Sequence, residues 1–184
     1  MNDTHPLPDK FGATAKWLHW LIAIIVIIML IFGPGLEDMP FAEREQTIVG
    51  HAGLGTLVLL LMLIRWGWRL SHPAPPPTGS MGPWQIRLAA VMHWSLYGLL
   101  LLQPIFGILQ AMYIVDYEVV AFNLIDYSSL ATDDKSMAKI FHVAHGVTAK
   151  LIMLLVLGHI AAAFYHHFVQ KDTVLKRMLP FGRV

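Results

Sequence analysis

The chain has 184 residues, of which 56% are hydrophobic and only 14% are charged, and its formal net charge is +1. A soluble domain carries about 25% charged residues, so this composition excludes an ordinary soluble protein and indicates an integral membrane protein. No basic run or face is present, which excludes a nucleic-acid partner, and the absence of cysteine excludes disulfides, thiolate metal sites and covalently attached c-type haem.

Four apolar segments follow one another along the chain, and each is close to the length that crosses a bilayer. A spanning helix needs about 20 apolar residues, and helices are required because the bilayer core offers no water to backbone groups. We predict helices at about residues 15–33, 48–69, 87–112 and 138–168. The predicted fold is therefore an all-α membrane protein, a four-transmembrane-helix bundle that forms a single domain over residues 1–184.

The three connectors have the composition of loops. The second, from 71 to 83, is too rich in proline for a helix, and the third, from 113 to 139, mixes aromatic residues with acids as an interfacial segment does. Lysine and arginine near the spans indicate orientation, because cytoplasmic loops are enriched in them. They concentrate at the two ends of the chain and around the second connector: Lys10, Lys16, Arg65, Arg69, Arg87, Lys171, Lys176, Arg177 and Arg183. We therefore expect both termini in the cytoplasm.

Four histidines fall at two depths of this bundle. His19 lies near the inner start of helix 1, and His51 lies near the outer start of helix 2. Helix 4 enters from outside, so His145 lies near its outer end and His159 lies deeper, towards the cytoplasm. These two are 14 residues apart, which places them within about 40° on one helix face and about 21 Å apart along the axis. His142 falls about 100° from His159 and fits that face poorly.

Paired imidazoles at two depths of a helix bundle are typical of haem ligation. A haem iron takes two axial imidazoles on opposite sides of the ring, and two facing helices can each supply one. Without a C-x-x-C-H motif the haems are expected to be non-covalent and b-type, and ligation by two histidines favours electron transfer over oxygen binding. The sequence therefore predicts two b-type haems, with an outer ligand pair, His51 and His145, and an inner pair, His19 and His159.

Two arginines of helix 2 share the face of His51. Arg65 and Arg69 follow His51 by 14 and 18 residues, which places them at the inner level. An arginine at that depth needs an anion, and a carboxylate accepts two parallel hydrogen bonds from its guanidinium. We predict that both arginines bind haem propionates.

The remaining histidines and one lysine have simpler interpretations. His93 starts helix 3 on the inner side, where it is either an interfacial residue or part of a quinone or proton site. Lys150 is expected on the side of helix 4 away from His145, with its amine at the outer interface. Four further histidines are expected in helix contacts or at the membrane surface: His5, His72, His166 and His167.

The spaced histidines and their flanking residues resemble the bacterial cytochrome b561 family of four-helix, di-haem membrane proteins. The motifs are KWLHW at the start of helix 1, HAGLGTLVLLLMLIRWGWR in helix 2, and HGVTAKLIMLLVLGHIAAAFYHHFVQKDTVLKRMLP in helix 4 and beyond. The resemblance covers nearly the whole chain and implies the same four haem ligands. One departure is Gly146 after His145, where close relatives are expected to carry glutamate.

The resemblance also implies a function and a location. One branch of the family is a superoxide oxidase that passes an electron from periplasmic superoxide to ubiquinone. We therefore expect a multi-pass oxidoreductase of the bacterial inner membrane, with lipid, ubiquinone and a small anionic or redox donor as partners. Two alternatives stay open: a cytochrome b subunit of a larger dehydrogenase or hydrogenase complex, and a quinol-oxidising reductase. A haem-free metal transporter is disfavoured, because its ligands would lie at one depth near the midplane.

Overall fold

The structure is a computed structural model that describes residues 10–36, 38–115 and 117–181, so that His5 and Arg183 lie outside the described residues. Its main elements in chain order are α1 (Ala13–Phe32), α2 (Phe41–Ser71), α3 (Pro83–Met112), β1 (Val120–Ala121), β2 (Ile125–Asp126), α4 (Lys135–Phe164) and α5 (Val174–Met178). Two short 3-10 helices and a π-helical stretch complete the chain: Gly33–Leu36, Ser128–Leu130 and Tyr165–Gln170. The helices α1 to α4 are each long and apolar enough to cross a membrane.

The membrane-spanning helices extend beyond their apolar segments. α2 begins at Phe41 and α4 at Lys135, rather than at about 48 and 138, because hydropathy marks only the apolar part of each helix. The start of α4 is stabilised by Asp134, whose Oδ1 accepts hydrogen bonds from Ser136 N at 2.8 Å and Met137 N at 3.1 Å. This side chain satisfies two backbone donors of the first turn that have no partner within the helix.

One apolar core joins the helices, and most other large apolar side chains point outward. The buried members of this core are Ile22, Ile25 and Val26 from α1, Val58 and Met62 from α2, and Ile152 from α4. Outward-facing examples such as Ile24 (54% exposed) and Leu154 (68%) are typical of helices that face lipid rather than water. The end of the bundle with His19 is called the inner end below, and the end with His51 the outer end.

The third connector holds a short antiparallel β-hairpin, which the prediction of an all-α bundle does not include. Strands β1 and β2 have two residues each and pair antiparallel. The turn between them has Phe122 at φ 54° and Asn123 at φ 55°, the two positive values of a type I′ turn, which the hydrogen bond from Leu124 N to Ala121 O closes. Strands of two residues are too short to produce the alternation by which a sequence reveals a strand.

The chain after α4 folds back against the inner end of the bundle. Asp172 Oδ2 accepts a hydrogen bond from Ser80 Oγ at 3.0 Å and lies 2.6 Å from His166 Nδ1. Trp20 Nε1 donates to the carbonyl oxygen of Met178 at 2.9 Å. The segment from Asp172 to Met178, here called the C-terminal clasp, therefore connects α1 and the second connector to the end of α4.

Candidate functional site

Four histidines meet in two pairs, one at each end of the bundle. The ring centroids of His19 and His159 are 6.1 Å apart, and those of His51 and His145 are also 6.1 Å apart. The planes of the two rings meet at 68° in both pairs. The structure thus brings the four histidines together in the combination that their spacing predicts, with α4 contributing one ring to each pair.

The separation within each pair fits a haem. A bond between a metal and an imidazole nitrogen is about 2.0 Å long, so two rings on opposite sides of one metal have centroids about 6 Å apart. Within the described residues no group of three or more histidine, aspartate or glutamate side chains is arranged to hold a bare metal ion. A haem needs only two protein ligands, because the porphyrin supplies the other four nitrogens.

A cavity of about 680 Å³ surrounds the outer pair. It is bordered mainly by apolar side chains of the four long helices and by the third connector, where Tyr117, Val119 and Tyr127 face it. Its size and apolar lining are those of a cofactor site. The hydroxyl groups of Tyr127 and Thr56, which also borders the cavity, are joined by a buried hydrogen bond of 2.9 Å that satisfies both.

The ring of His145 is oriented by α3. His145 Nδ1 lies 3.0 Å from the backbone oxygen of Gln103, and this hydrogen bond leaves Nε2 with the lone pair that a metal needs. The amide nitrogen of the Gln103 side chain lies 3.1 Å from that Nε2, while its oxygen accepts a hydrogen bond from Thr148 Oγ1. Metal binding at His145 therefore requires the Gln103 side chain to rotate away from Nε2.

Gly107 allows His145 to approach α3 this closely. A Cβ atom at Gly107 would lie 3.1 Å from Cε1 and 3.2 Å from Nδ1 of His145, closer than a ring normally tolerates. Sequence reasoning did not identify Gln103, Pro104 or Gly107. The signal that was available is a glutamine–proline pair and a glycine inside an apolar span, because polar residues and helix breakers there have a packing or functional reason.

The inner pair lies among basic and aromatic side chains. The ring of His93 is 5.5 Å from that of His159, centroid to centroid. Arg65 interacts electrostatically with both His19 and His159, and its Nη1 donates to the backbone oxygen of Ala15 at 2.9 Å. His93 is thus an exposed residue that is also in direct contact with His159 of the predicted ligand pair.

The two arginines lie at the inner level, where the sequence predicts them. The Arg65 guanidinium carbon lies 5.8 Å from the centre of the Tyr97 ring, and Arg69 interacts electrostatically with His93. Arg69 Nη1 also lies 3.4 Å from the backbone oxygen of His72. Binding of haem propionates by Arg65 and Arg69 stays a prediction.

Two residues differ from their expected surroundings. Lys150 is exposed and borders the outer cavity, although its angular position predicts that it lies on the side of α4 away from His145. His142 is off the ligand face as expected, yet it borders the same cavity and its Nδ1 lies 3.3 Å from the side-chain nitrogen of Gln110. The outer cavity therefore carries more polar groups than the sequence indicates.

The other histidines take structural roles. His72 stacks on Trp68 with ring centroids 3.8 Å apart and planes 5° from parallel. His166 is buried and lies against Asp172 of the C-terminal clasp. Neither His72 nor His166 faces a predicted ligand pair, which agrees with the expectation that they lie in helix contacts or at the membrane surface.

Comparisons with known proteins agree with this arrangement. The family model described as prokaryotic cytochrome b561 matches residues 10–181. A protein of Yersinia pestis named probable superoxide oxidase CybB is 32% identical over 178 residues, which cover 95% of this chain and 98% of that protein. Cytochrome b561 homolog 2 of Escherichia coli strain K12 is 30% identical over 175 residues, covering 94% of this chain and 92% of that protein. Cytochrome b562 of Cereibacter sphaeroides is 32% identical over 168 residues, covering 88% and 90%.

Proposed function

We propose that this chain, which belongs to the prokaryotic cytochrome b561 family, is a di-haem cytochrome that conducts electrons from superoxide at its outer end to ubiquinone. Members of the family are membrane electron-transfer proteins that bind b-type haem. This proposal is carried by the observation that four imidazoles form two pairs, one near each end of α4, with a centroid separation of 6.1 Å in each pair. Two such sites stacked through a bilayer make a path for electrons.

The chain's own side chains hold and orient the cofactors. His51 and His145 hold the outer haem, and His19 and His159 hold the inner one. When bound, each haem supplies a reversible one-electron carrier with no open iron position. The hydrogen bond from His145 Nδ1 to the backbone oxygen of Gln103 would leave Nε2 as the nitrogen that binds the haem iron.

Charged groups at the inner end complete the inner site. Arg65 and Arg69 neutralise the haem propionates in a region where an unpaired charge is costly. His93, in contact with His159, is suited to donate a hydrogen bond or a proton to a quinone oxygen. With both termini in the cytoplasm, the inner end and His93 face the cytoplasm. The protons that reduce the quinone therefore come from the cytoplasmic side.

An anionic one-electron donor fits the outer end. Two cationic side chains, Arg44 and Lys150, border the outer cavity, and positive charge near a site raises the rate at which a small anion arrives. The relative from Yersinia pestis is named as a probable superoxide oxidase. The balanced reaction converts two superoxide anions to two molecules of dioxygen, and one ubiquinone takes up the two electrons and two protons to become ubiquinol.

The test is superoxide-driven reduction of a soluble ubiquinone analogue by the purified, haem-loaded protein in detergent. We expect about two haems per chain, a reduced spectrum of low-spin haem, and quinone reduction that added superoxide dismutase abolishes. A colourless protein would overturn the cytochrome assignment. Haem-loaded protein that leaves the rate of quinone reduction unchanged would overturn the superoxide assignment, and reduction of its haems by quinol would then indicate a quinol-oxidising reductase.

A further inference from the structure

The β1–β2 hairpin is wedged between two membrane-spanning helices. Ala121 of β1 is fully buried, in a cluster that also contains Ala111 of α3 and Ala52 of α2. Val119 and Tyr127, which flank the strands, are 4% and 7% exposed and border the outer cavity. The hairpin therefore closes one side of this cavity from within the bundle and does not lie free above it.

The tip of the hairpin turns apolar side chains away from the protein. Leu124 is 83% exposed, Phe122 is 48% exposed and Ile125 is 44% exposed. These three side chains lie within four consecutive residues, so they form one apolar surface with the polar Asn123 among them. A contiguous apolar surface of this kind marks contact with a partner or a membrane.

The contact between Phe122 and Gly53 gives the depth of the tip. A Cβ atom on Gly53 would lie 3.0 Å from two carbons of the Phe122 ring, so this ring rests directly on the backbone of α2. Gly53 is five residues after position 48, where the apolar part of α2 begins, which corresponds to about 8 Å along the helix axis. It also lies beyond His51 as the helix runs into the bundle.

The end of α1 gives the same depth independently. Gly33 directly follows α1, and a Cβ atom there would lie 3.5 Å from Cε1 of His51. The level of His51 is therefore the level of the last turn of α1, where Ile31 is 65% exposed and Phe32 is 67% exposed. The ring of Phe122, next to Gly53, is therefore at least as deep as these two side chains, which face lipid on a membrane-spanning helix, and it carries the tip to that level.

The backbone of the hairpin is suited to a lipid boundary. Leu124 N donates to Ala121 O at 3.0 Å, and Tyr127 N donates to Val119 O at 3.0 Å. Val119 N is satisfied by Ser128 Oγ at 3.2 Å. Backbone groups that keep their partners inside the hairpin avoid the cost that lipid imposes on unpaired donors and acceptors.

We propose that the tip of this hairpin inserts into the membrane leaflet at the outer end, so that the hairpin is a lipid-anchored cover of the outer cavity. Phe122, Leu124 and Ile125 contact acyl chains at the level of the last turn of α1. Lipid is the occupant that the depth requires, because the tip continues the lipid-facing surface of the helices. A protein partner would have to displace lipid to reach it.

The experiment measures the depth of a nitroxide spin label at the tip, in haem-loaded protein reconstituted into phosphatidylcholine and phosphatidylglycerol vesicles. The chain has no cysteine, so Leu124→Cys and Ile125→Cys each provide a single labelling site. Leu60→Cys, on the exposed side of α2, is the lipid reference, and the exposed Thr132→Cys, in the same connector, is the aqueous reference. An unchanged haem spectrum verifies that each variant is folded.

We expect the labels at Leu124 and Ile125 to collide more often with oxygen than with a water-soluble nickel chelate, as the Leu60 label does, and the Thr132 label to show the opposite. Tip labels that follow the Thr132 label would overturn the proposal. Tip labels shielded from both reagents would also overturn it, because they would indicate a protein partner over the tip. The measurement does not depend on superoxide or quinone, so it stands apart from the proposed reaction.

Discussion

His145 is the residue whose surroundings most constrain the site. The backbone oxygen of Gln103 orients its ring, the absence of a side chain at Gly107 lets the ring approach α3, and Thr148 holds the Gln103 side chain. Groups that orient a metal ligand without touching the metal typically account for about 10-fold to 100-fold in affinity or activity. The outer site should therefore be sensitive to changes in α3, although its predicted ligands lie on α2 and α4.

Substitution Gly107→Ala should weaken the outer haem selectively. The new methyl group would lie 3.1 Å from His145 Cε1 and would push the ring away from its position. We expect about a 10-fold to 100-fold loss of haem affinity at one of the two sites, seen as a haem-to-protein ratio that falls from about two towards one.

Gly98→Ala is the matched control on the same helix, since a Cβ atom at Gly98 has nothing within 4 Å. It should keep the full haem content and spectrum. Equal haem loss in both variants would show that any alanine for glycine in α3 lowers the haem content, and that a clash with His145 is not the cause.

Substitution His159→Ala should remove the inner haem and leave the outer one. The inner pair would lose one of its two imidazoles, while His51 and His145 would be unchanged. Haem content measured on the purified protein should fall to about one per chain, and superoxide-driven quinone reduction should be lost. Retention of both haems would show that the histidines are paired differently.

At the scale of elements, the C-terminal clasp connects three parts of the inner end. Little of the His166 and Asp172 side chains is exposed, at 10% and 7%. Burial raises the pKa of Asp172, but hydrogen bonds from Val174 N, His166 and Ser80 outweigh it, so the pKa lies below the ordinary value. The π-helical stretch before the clasp ends at Gln170, and the next residue, Lys171, has a φ of 55° that turns the chain back towards the bundle.

Substitution Asp172→Asn should destabilise the inner end in a pH-dependent way. The pKa of Asp172 is lower in the folded state than its unfolded value of about 3.9. The ionised side chain therefore stabilises the folded state fully above pH ~3.9, and this contribution to the free energy of unfolding is lost as the pH falls through the pKa of the folded state. We expect the melting temperature in detergent to fall by about 2–4 °C at neutral pH, with a smaller difference in acid. The exposed Asp133→Asn is the control, and an equal effect there would contradict the assignment.

At the scale of the whole molecule, the distribution of basic residues predicts which end of the bundle faces the cytoplasm. Cytoplasmic termini place the C-terminal clasp, His93 and the two arginines on the cytoplasmic side, and the hairpin and outer cavity on the periplasmic side. This orientation decides from which compartment superoxide arrives and from which side protons are taken up.

The orientation can be tested with single cysteines in the cysteine-free chain. Thr132→Cys, in the third connector, should react with a membrane-impermeant maleimide in intact cells after the outer membrane is made permeable. Gly79→Cys, in the second connector, should react only after the inner membrane is disrupted. The reverse pattern would contradict the predicted orientation and would move proton uptake to the other side.

The sequence by itself determined the four membrane-spanning helices and the two depths of the paired histidines. Both depend on local properties, namely the length of an apolar run and the 3.6-residue period that places His145 and His159 on one face. The observed pairs have the partners that these properties predict.

Only the tertiary structure decided what surrounds those pairs. Gly107 and Gln103 meet His145 across about 40 residues of chain. The packing of β1 against α2 joins segments that lie still further apart in the sequence. Lys150 borders the outer cavity, which its angular position on α4 does not indicate. Such contacts follow from how the helices pack and not from any one segment, so the predicted haem ligands follow from spacing while the orientation of their rings comes from the fold.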